Sequence, residues 1–334
     1  MQYLKNSFVV LIAGLALTVT SCKKDTVEPS EEETSTPTTP IFSNANVQAL
    51  FNDLATPLQT YTMNASNFNS FTCTNGTIIN IYPNAFLTQA DVPVTGVVTI
   101  EVKDILSKKD MILNNAMPVS NGQLLVSGGQ VYFNATQGGQ KLKLDPSSYI
   151  NMKVPAGSSP SSQMFEFYAT GTSNLATNNS SLNWVMAIDS LPTPIGVTTN
   201  TASGGSYYDF YCDSVTWTNC DYFYNTSGAN TTCTVNLSGS FNNSNTVVFM
   251  AMNGVNTMAK INSASYSSTS QSYVSYSNSM PEGVSYTVVA ISFDGTNYYY
   301  TSQVVVLTTN MVINLPVLTQ TTKPQIQTNL STLP

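Results

Sequence analysis

The feature that most limits this fold is a run of period two that begins near residue 77. From Thr77 to Tyr82 apolar and polar side chains alternate, and the run stops at Pro83-Asn84. Alternation of this kind puts successive side chains on opposite faces, as a half-buried strand requires. The pattern recurs along the chain. Val94 to Val102 is rich in β-branched residues, and Gln123 to Val126, Gln130 to Ala135 and Lys141 to Leu144 follow. Asn121-Gly122, Gly128-Gly129 and Gly138-Gly139 punctuate these runs as turn signals. Cys233 to Leu237, Thr246 to Met252, Ser285 to Phe293, Tyr298 to Leu307 and Met311 to Leu315 continue the series. Asp294-Gly295 is a strong hairpin signal within it. Short strands with turns between them predict an all-β chain of two β-sandwich domains in series. One helix is predicted before them, over Asn46 to Leu54, because Val47, Leu50, Phe51 and Leu54 fall at helical spacing.

The amino terminus reads as an export signal. Lys5 gives a positive start, and Phe8 to Val19 is an apolar run shorter than the ~20 residues that span a bilayer. Val19-Thr20-Ser21-Cys22 resembles the lipobox of bacterial lipoproteins. The resemblance implies that Cys22 carries fatty-acyl chains such as palmitate and anchors the chain in the outer membrane. The stretch that follows is rich in Thr, Glu and Pro with almost no apolar residues, so it is expected to stay an unfolded tether. The predicted organisation is a signal peptide (1–21), a disordered tether (22–45) and a first sandwich (46–157). A Ser/Asn/Thr-rich linker with one or two strands (158–205), a second sandwich (206–316) and a polar tail (317–334) complete it.

Composition closes most routes to catalysis. The chain has no histidine, and all eleven of its basic residues are lysines. Without imidazole there is no ordinary general base near neutral pH, no His-assisted nucleophile and no His-built zinc site. Without guanidinium there is no bidentate clamp for phosphate. A net charge of −7 argues against a nucleic-acid partner. No GxSxG elbow occurs, and no DxDxDG loop that would hold calcium. Neither a cofactor nor a metal is therefore expected, and the reading is non-enzymatic. A carboxylate-based glycosidase stands last among the alternatives, since Glu101, Glu166 and Glu282 are isolated in sequence and their pairing is not legible.

Beyond Cys22 the cysteines are Cys73, Cys212, Cys220 and Cys233. The closeness of Cys212, Cys220 and Cys233 makes a disulfide among them one reading, and free buried thiols are the other. The densest aromatic region runs from Tyr207 to Tyr224. Within it Trp217, Tyr222 and Tyr224 with Asp221 form a candidate glycan-binding face, flat apolar area beside hydrogen-bonding groups. The competing reading sends half of these rings into the core.

Two resemblances attach to particular strings. GTIINIYPNAF, VTGVVTIEV, LLVSGGQVYFNA and LKLDPSSYINMKVPAG together resemble the ZU domain of ankyrins and netrin receptors, over about Cys73 to Gly157. In that family the domain binds partner proteins and carries no catalysis. MPEGVSYTVVAISFDGTNYYYTSQVVVL resembles the closing hairpin of transthyretin-like, carboxypeptidase-regulatory-type domains, with Pro281, Gly283 and Tyr286 at the marks of its turn. Such modules serve as adhesive or structural spacers. The whole arrangement is similar to a family of bacterial outer-membrane lipoproteins with no assigned activity. It implies a lipid-anchored cell-envelope protein with a structural, adhesive or protein-interaction role, on the cell surface or the periplasmic face, whose partners are the membrane and an envelope or extracellular protein or glycan.

Overall fold

Alternation along Thr246–Met252 shows how the fold is assembled. Val247, Phe249 and Ala251 face one core while Val248, Met250 and Met252 face another, so this strand is buried on both sides. The computed structural model describes residues 45–170, 173–174, 179–180, 182–187, 194–199, 205–261 and 265–334. The predicted signal peptide, Cys22 and nearly all of the tether lie outside these residues.

Among the described residues, four principal sheets are separated by three cores. The first sheet has the strand order Gly196–Thr199, Ser206–Cys212, Ile150–Pro155, Ile78–Ile81, Asn69–Thr72. The second runs Gln59–Asn64, Val97–Ile105, Gln123–Gln137, Trp217–Phe223, Phe165–Thr170, Asn183–Met186. Between them Ile79, Ile81, Val98, Ile100, Phe133, Met152 and Phe210 pack as one core. The third sheet runs Met258–Ile261, Thr246–Met252, Ser285–Phe293, Tyr298–Val306, Thr319–Thr321, and the small fourth sheet Ser272–Val274, Thr234–Asn236, Val312–Asn314. Val235, Tyr273, Val288 and Ile313 fill the space between those two.

The middle core joins everything. Leu125, Phe167, Trp184 and Trp217 enter it from the second sheet, and Val247, Phe249, Val289 and Ile291 from the third. Helices Ala45–Leu54, Lys108–Leu113 and Lys323–Ser331 add Leu50, Phe51, Met111, Ile326 and Leu330. The two sandwiches therefore share a core. Residues 206–223, expected to open the second sandwich, belong to the first. Ser206–Cys212 pairs with Ile150–Pro155, and Trp217–Phe223 pairs with Gln123–Gln137. The reason lies in alternation, since Tyr208, Phe210 and Cys212 point inward and complete the first core.

Gly128-Gly129 does not separate two strands either. Gln123–Gln137 is one continuous strand with an irregular register opposite Cys220 and Asp221. A Cβ at Gly128 would lie 2.7 Å from Tyr208 Cε2, and one at Gly129 would lie 2.6 Å from Val154 Cγ1. Here glycine is required by the close approach of the first sheet. Strands of the predicted linker extend neighbouring sheets, as Phe165–Thr170 and Asn183–Met186 join the second and Gly196–Thr199 the first. In the tail, Thr322 caps helix Lys323–Ser331 by accepting from the Gln325 amide, and Ile326 and Leu330 anchor it.

Candidate functional site

The first sheet buries its inner face and leaves its outer face open. Ile79 and Ile81 point inward, so Asn80 and Tyr82 point out. The same parity turns Tyr149, Asn151 and Lys153 outward beside them, and Tyr207, Asp209 and Tyr211 on the next strand. At one end of this face four rings meet. Phe68 contacts Tyr82 at 5.6 Å between centroids, Tyr82 contacts Tyr149 at 5.3 Å, and Tyr149 contacts Tyr211 at 4.7 Å. Their planes are inclined by 61°, 70° and 80°, the edge-to-face geometry that aromatic quadrupoles favour. Exposure of 55% for Phe68, 39% for Tyr82, 43% for Tyr149 and 55% for Tyr211 makes this a connected aromatic strip open to solvent.

A polar network lies directly behind the strip. Asn80 Nδ2 donates to Asn151 Oδ1 at 2.8 Å, and Asn151 Nδ2 donates to Asp209 Oδ1 at 2.7 Å. Lys153 Nζ sits 2.9 Å from Asp209 Oδ2, which also accepts from Thr198 Oγ1 at 3.2 Å. The three strands that carry Tyr82, Tyr149 and Tyr211 thus each supply a ring at one end and an amide or charge one step further along. The charges cancel within the face.

The sequence pointed to different rings. Trp217 is 4% exposed, its indole against Tyr132 at 5.4 Å and Trp184 at 6.4 Å, so it cannot stack on a ligand. Tyr222 packs on the first core and Tyr224 on the third, while Trp217 fills the middle one. Asp221 is fully buried, with Asn219 donating to its Oδ2. The predicted glycan face is therefore dispersed over three cores, because neighbours on a strand face opposite ways. Of that aromatic region only Tyr211 reaches the strip.

The cysteines are free thiols rather than a bridge, and Cys73, Cys212, Cys220 and Cys233 are all buried. Cys233 lines the third core, away from the other three in the first. Burial pushes the Cys212 and Cys220 thiols well up, which keeps them unreactive.

Carboxylates come together beside the strip. Tyr168 Oη donates to Asp213 Oδ1 at 2.8 Å and accepts from the Asp213 amide, while Thr218 Oγ1 donates to Glu166 Oε1 at 3.2 Å. Burial raises the Glu166 carboxyl, and the Asp213 charge adds to the effect. Elsewhere, a cavity of about 720 Å³ opens where the middle core reaches the surface, lined by Ser107, Lys108, Asp110, Asn256, Leu330 and Pro334 among others. Lys108 is held there by the carbonyl oxygens of Met252 and Pro334, and burial pulls its amine down to about 8. Asp110 caps the short helix at that cavity through Ser107. Among the described residues no group of three His, Cys, Asp or Glu side chains is placed to hold a metal ion, and no helix is long and apolar enough to cross a membrane. Comparison with family models, with curated proteins and with solved structures finds no match to this chain.

Proposed function

We propose that the chain is a lipid-anchored cell-envelope protein with a non-catalytic, adhesive role, and that it captures its partner on the outer face of the first sheet. The observation that carries this is the strip of Phe68, Tyr82, Tyr149 and Tyr211. Large rings left in contact with water at one end of a sheet mark an interaction surface. Rigid aromatic anchors ringed by satisfied polar groups are how binding faces combine area with low ordering cost. Anchoring rests on the lipobox ending at Cys22, and the likeness to ZU and transthyretin-type modules agrees with a spacer carrying a binding face.

Three experiments test it. Replacing Cys22→Ala releases the protein from the outer-membrane fraction, and retention there refutes the anchor. Cells carrying Tyr82→Ala/Tyr149→Ala lose attachment to a biotic surface that the parent adheres to, and unchanged attachment refutes the adhesive reading. Protease treatment of intact cells reports the leaflet, with loss of the chain expected for an adhesin.

A further inference from the structure

We propose that the Phe68–Tyr82–Tyr149–Tyr211 strip binds a neutral polysaccharide along a path that crosses the strands. This deepens the adhesive reading and rests on it. The rings succeed one another at 5.6, 5.3 and 4.7 Å because each belongs to the next strand of the sheet. Their spacing is close to the ~4.8 Å between neighbouring strands, and with successive planes inclined by 61°, 70° and 80° adjacent rings present a face and an edge in turn. A pyranose has an apolar face of C–H groups and a rim of hydroxyls, and it needs a flat ring beneath and amides or carboxylates at the side. The strip provides the rings. Asn80 and Asp209 provide the side groups, held in place by the buried Asn151 between them.

Charge selects the class of polymer. The ionic groups on its strands are Lys153 and Asp209, 2.9 Å apart and neutralising each other, and the exposed Asp213 carboxylate stands at its edge. Nothing there attracts a sulfated or uronic-acid chain, and the protein contains no arginine to grip one. A single sugar on one open ring would be held weakly, so the strip suits several linked sugars acting together. A protein partner is the competing occupant. It would have to cover the buried amide network as well as the rings, and it is kept as an outcome of the test.

The full chain in detergent is applied to insoluble neutral polysaccharides (β-glucan, xylan, mannan, chitin) and to anionic ones (polygalacturonate, heparin). Retention on at least one neutral polymer is expected, unchanged between low salt and about 0.5 M because no net charge is involved. Each ring removed is expected to cost about tenfold in affinity, so Tyr149→Ala/Tyr211→Ala loses about a hundredfold. Tyr276→Ala, an exposed tyrosine outside the strip, binds as the parent does. Unchanged melting temperatures show that the variants fold. Retention on anionic polymers alone, binding indifferent to the double substitution, or no neutral polymer bound would each overturn the assignment. If no polysaccharide is retained but the double variant still abolishes cell attachment, the carbohydrate assignment falls and the adhesive reading stands. If attachment is also unchanged, both fall.

Discussion

Replacing Asp221 with asparagine should stabilise the protein at neutral pH and leave it nearly unchanged in acid. Asp221 is 0% exposed, and its Oδ1 has no hydrogen-bond partner. Burial lifts the carboxyl well above an aspartate's ordinary 3.8, further than Ser127, Asn219 and the Gly128 amide draw it back. The folded state thus binds this proton more tightly than the unfolded chain does. The stabilisation is complete below 3.8 and is lost as pH rises toward the folded-state value, at about 1.4 kcal/mol per pH unit. Asparagine does not titrate, and its carbonyl accepts from Asn219 as Oδ2 does. The stability of the variant minus that of the parent should therefore grow by about 1.4 kcal/mol per unit above pH ~4, until the parent's carboxyl ionises. Urea unfolding of both proteins from about pH 4 to about pH 7 measures this. Glu166, also raised, titrates in both and cancels. A difference that stays flat with pH, or one that falls, would refute the reasoning.

Phe249→Ala removes a fully buried ring that meets Phe51 edge-on at 6.3 Å in the shared middle core. It should cost about 3–5 kcal/mol and lower a single calorimetric transition, whereas two transitions would show that the sandwiches melt apart. Gly128→Ala should cost about 1–3 kcal/mol, since its Cβ would lie 2.7 Å from Tyr208 Cε2 and 2.9 Å from the Cys220 carbonyl oxygen. Gly196→Ala, whose nearest neighbour is 3.9 Å away, should be close to neutral in the same melts. Maleimide added without reductant should leave Cys73, Cys212, Cys220 and Cys233 unlabelled while the chain is folded and label all four in denaturant, and a mass lacking two labels would reveal a bridge.

Strand content was legible wherever alternation was clean. Thr246–Met252 and Ser285–Phe293 have the bounds expected of them, and helix Ala45–Leu54 differs by one residue at its start. What sequence could not supply was pairing between distant strands. Ser206–Cys212 looks the same whether it opens a new sandwich or closes an old one. Its place is decided by Ile150–Pro155, more than fifty residues earlier, which offers an open edge. The strip was hidden for the same reason. Phe68, Tyr82, Tyr149 and Tyr211 lie far apart in the chain, and only the order of the first sheet makes them neighbours. The conspicuous run from Tyr207 to Tyr224 misled because density in sequence is not density on a face. One signal was available: Tyr82 follows an alternating run in which Ile79 and Ile81 point inward, which forces its ring outward.

The placement of the carboxylates agrees with the proposed capture. A carboxylate-based cleavage would need a pair of Asp or Glu side chains free to act, and many of the aspartates instead hold backbone or neighbours in place. Asp145 accepts the Ser147 amide and hydroxyl, and Asp104 accepts the Asn75 amide and the Gln59 side chain. Asp294 takes the amides of Thr296 and Asn297 in its hairpin, which draws its carboxyl down to about 2. Asp53 ties the first helix to Tyr298 and Lys323, and Asp209 is matched by Lys153. Glu166 and Asp213 come nearest to a working pair, one raised by burial and the other exposed. Yet the Tyr168 hydroxyl is committed to Asp213 and the Thr218 hydroxyl to Glu166, so both carboxyls serve to close the edge of the first sandwich. A hydrolytic pair must face one substrate bond from two sides, with each carboxyl free to exchange its proton. The rings beside this pair offer grip without that freedom, which is what the proposed capture of a polymer asks of the surface.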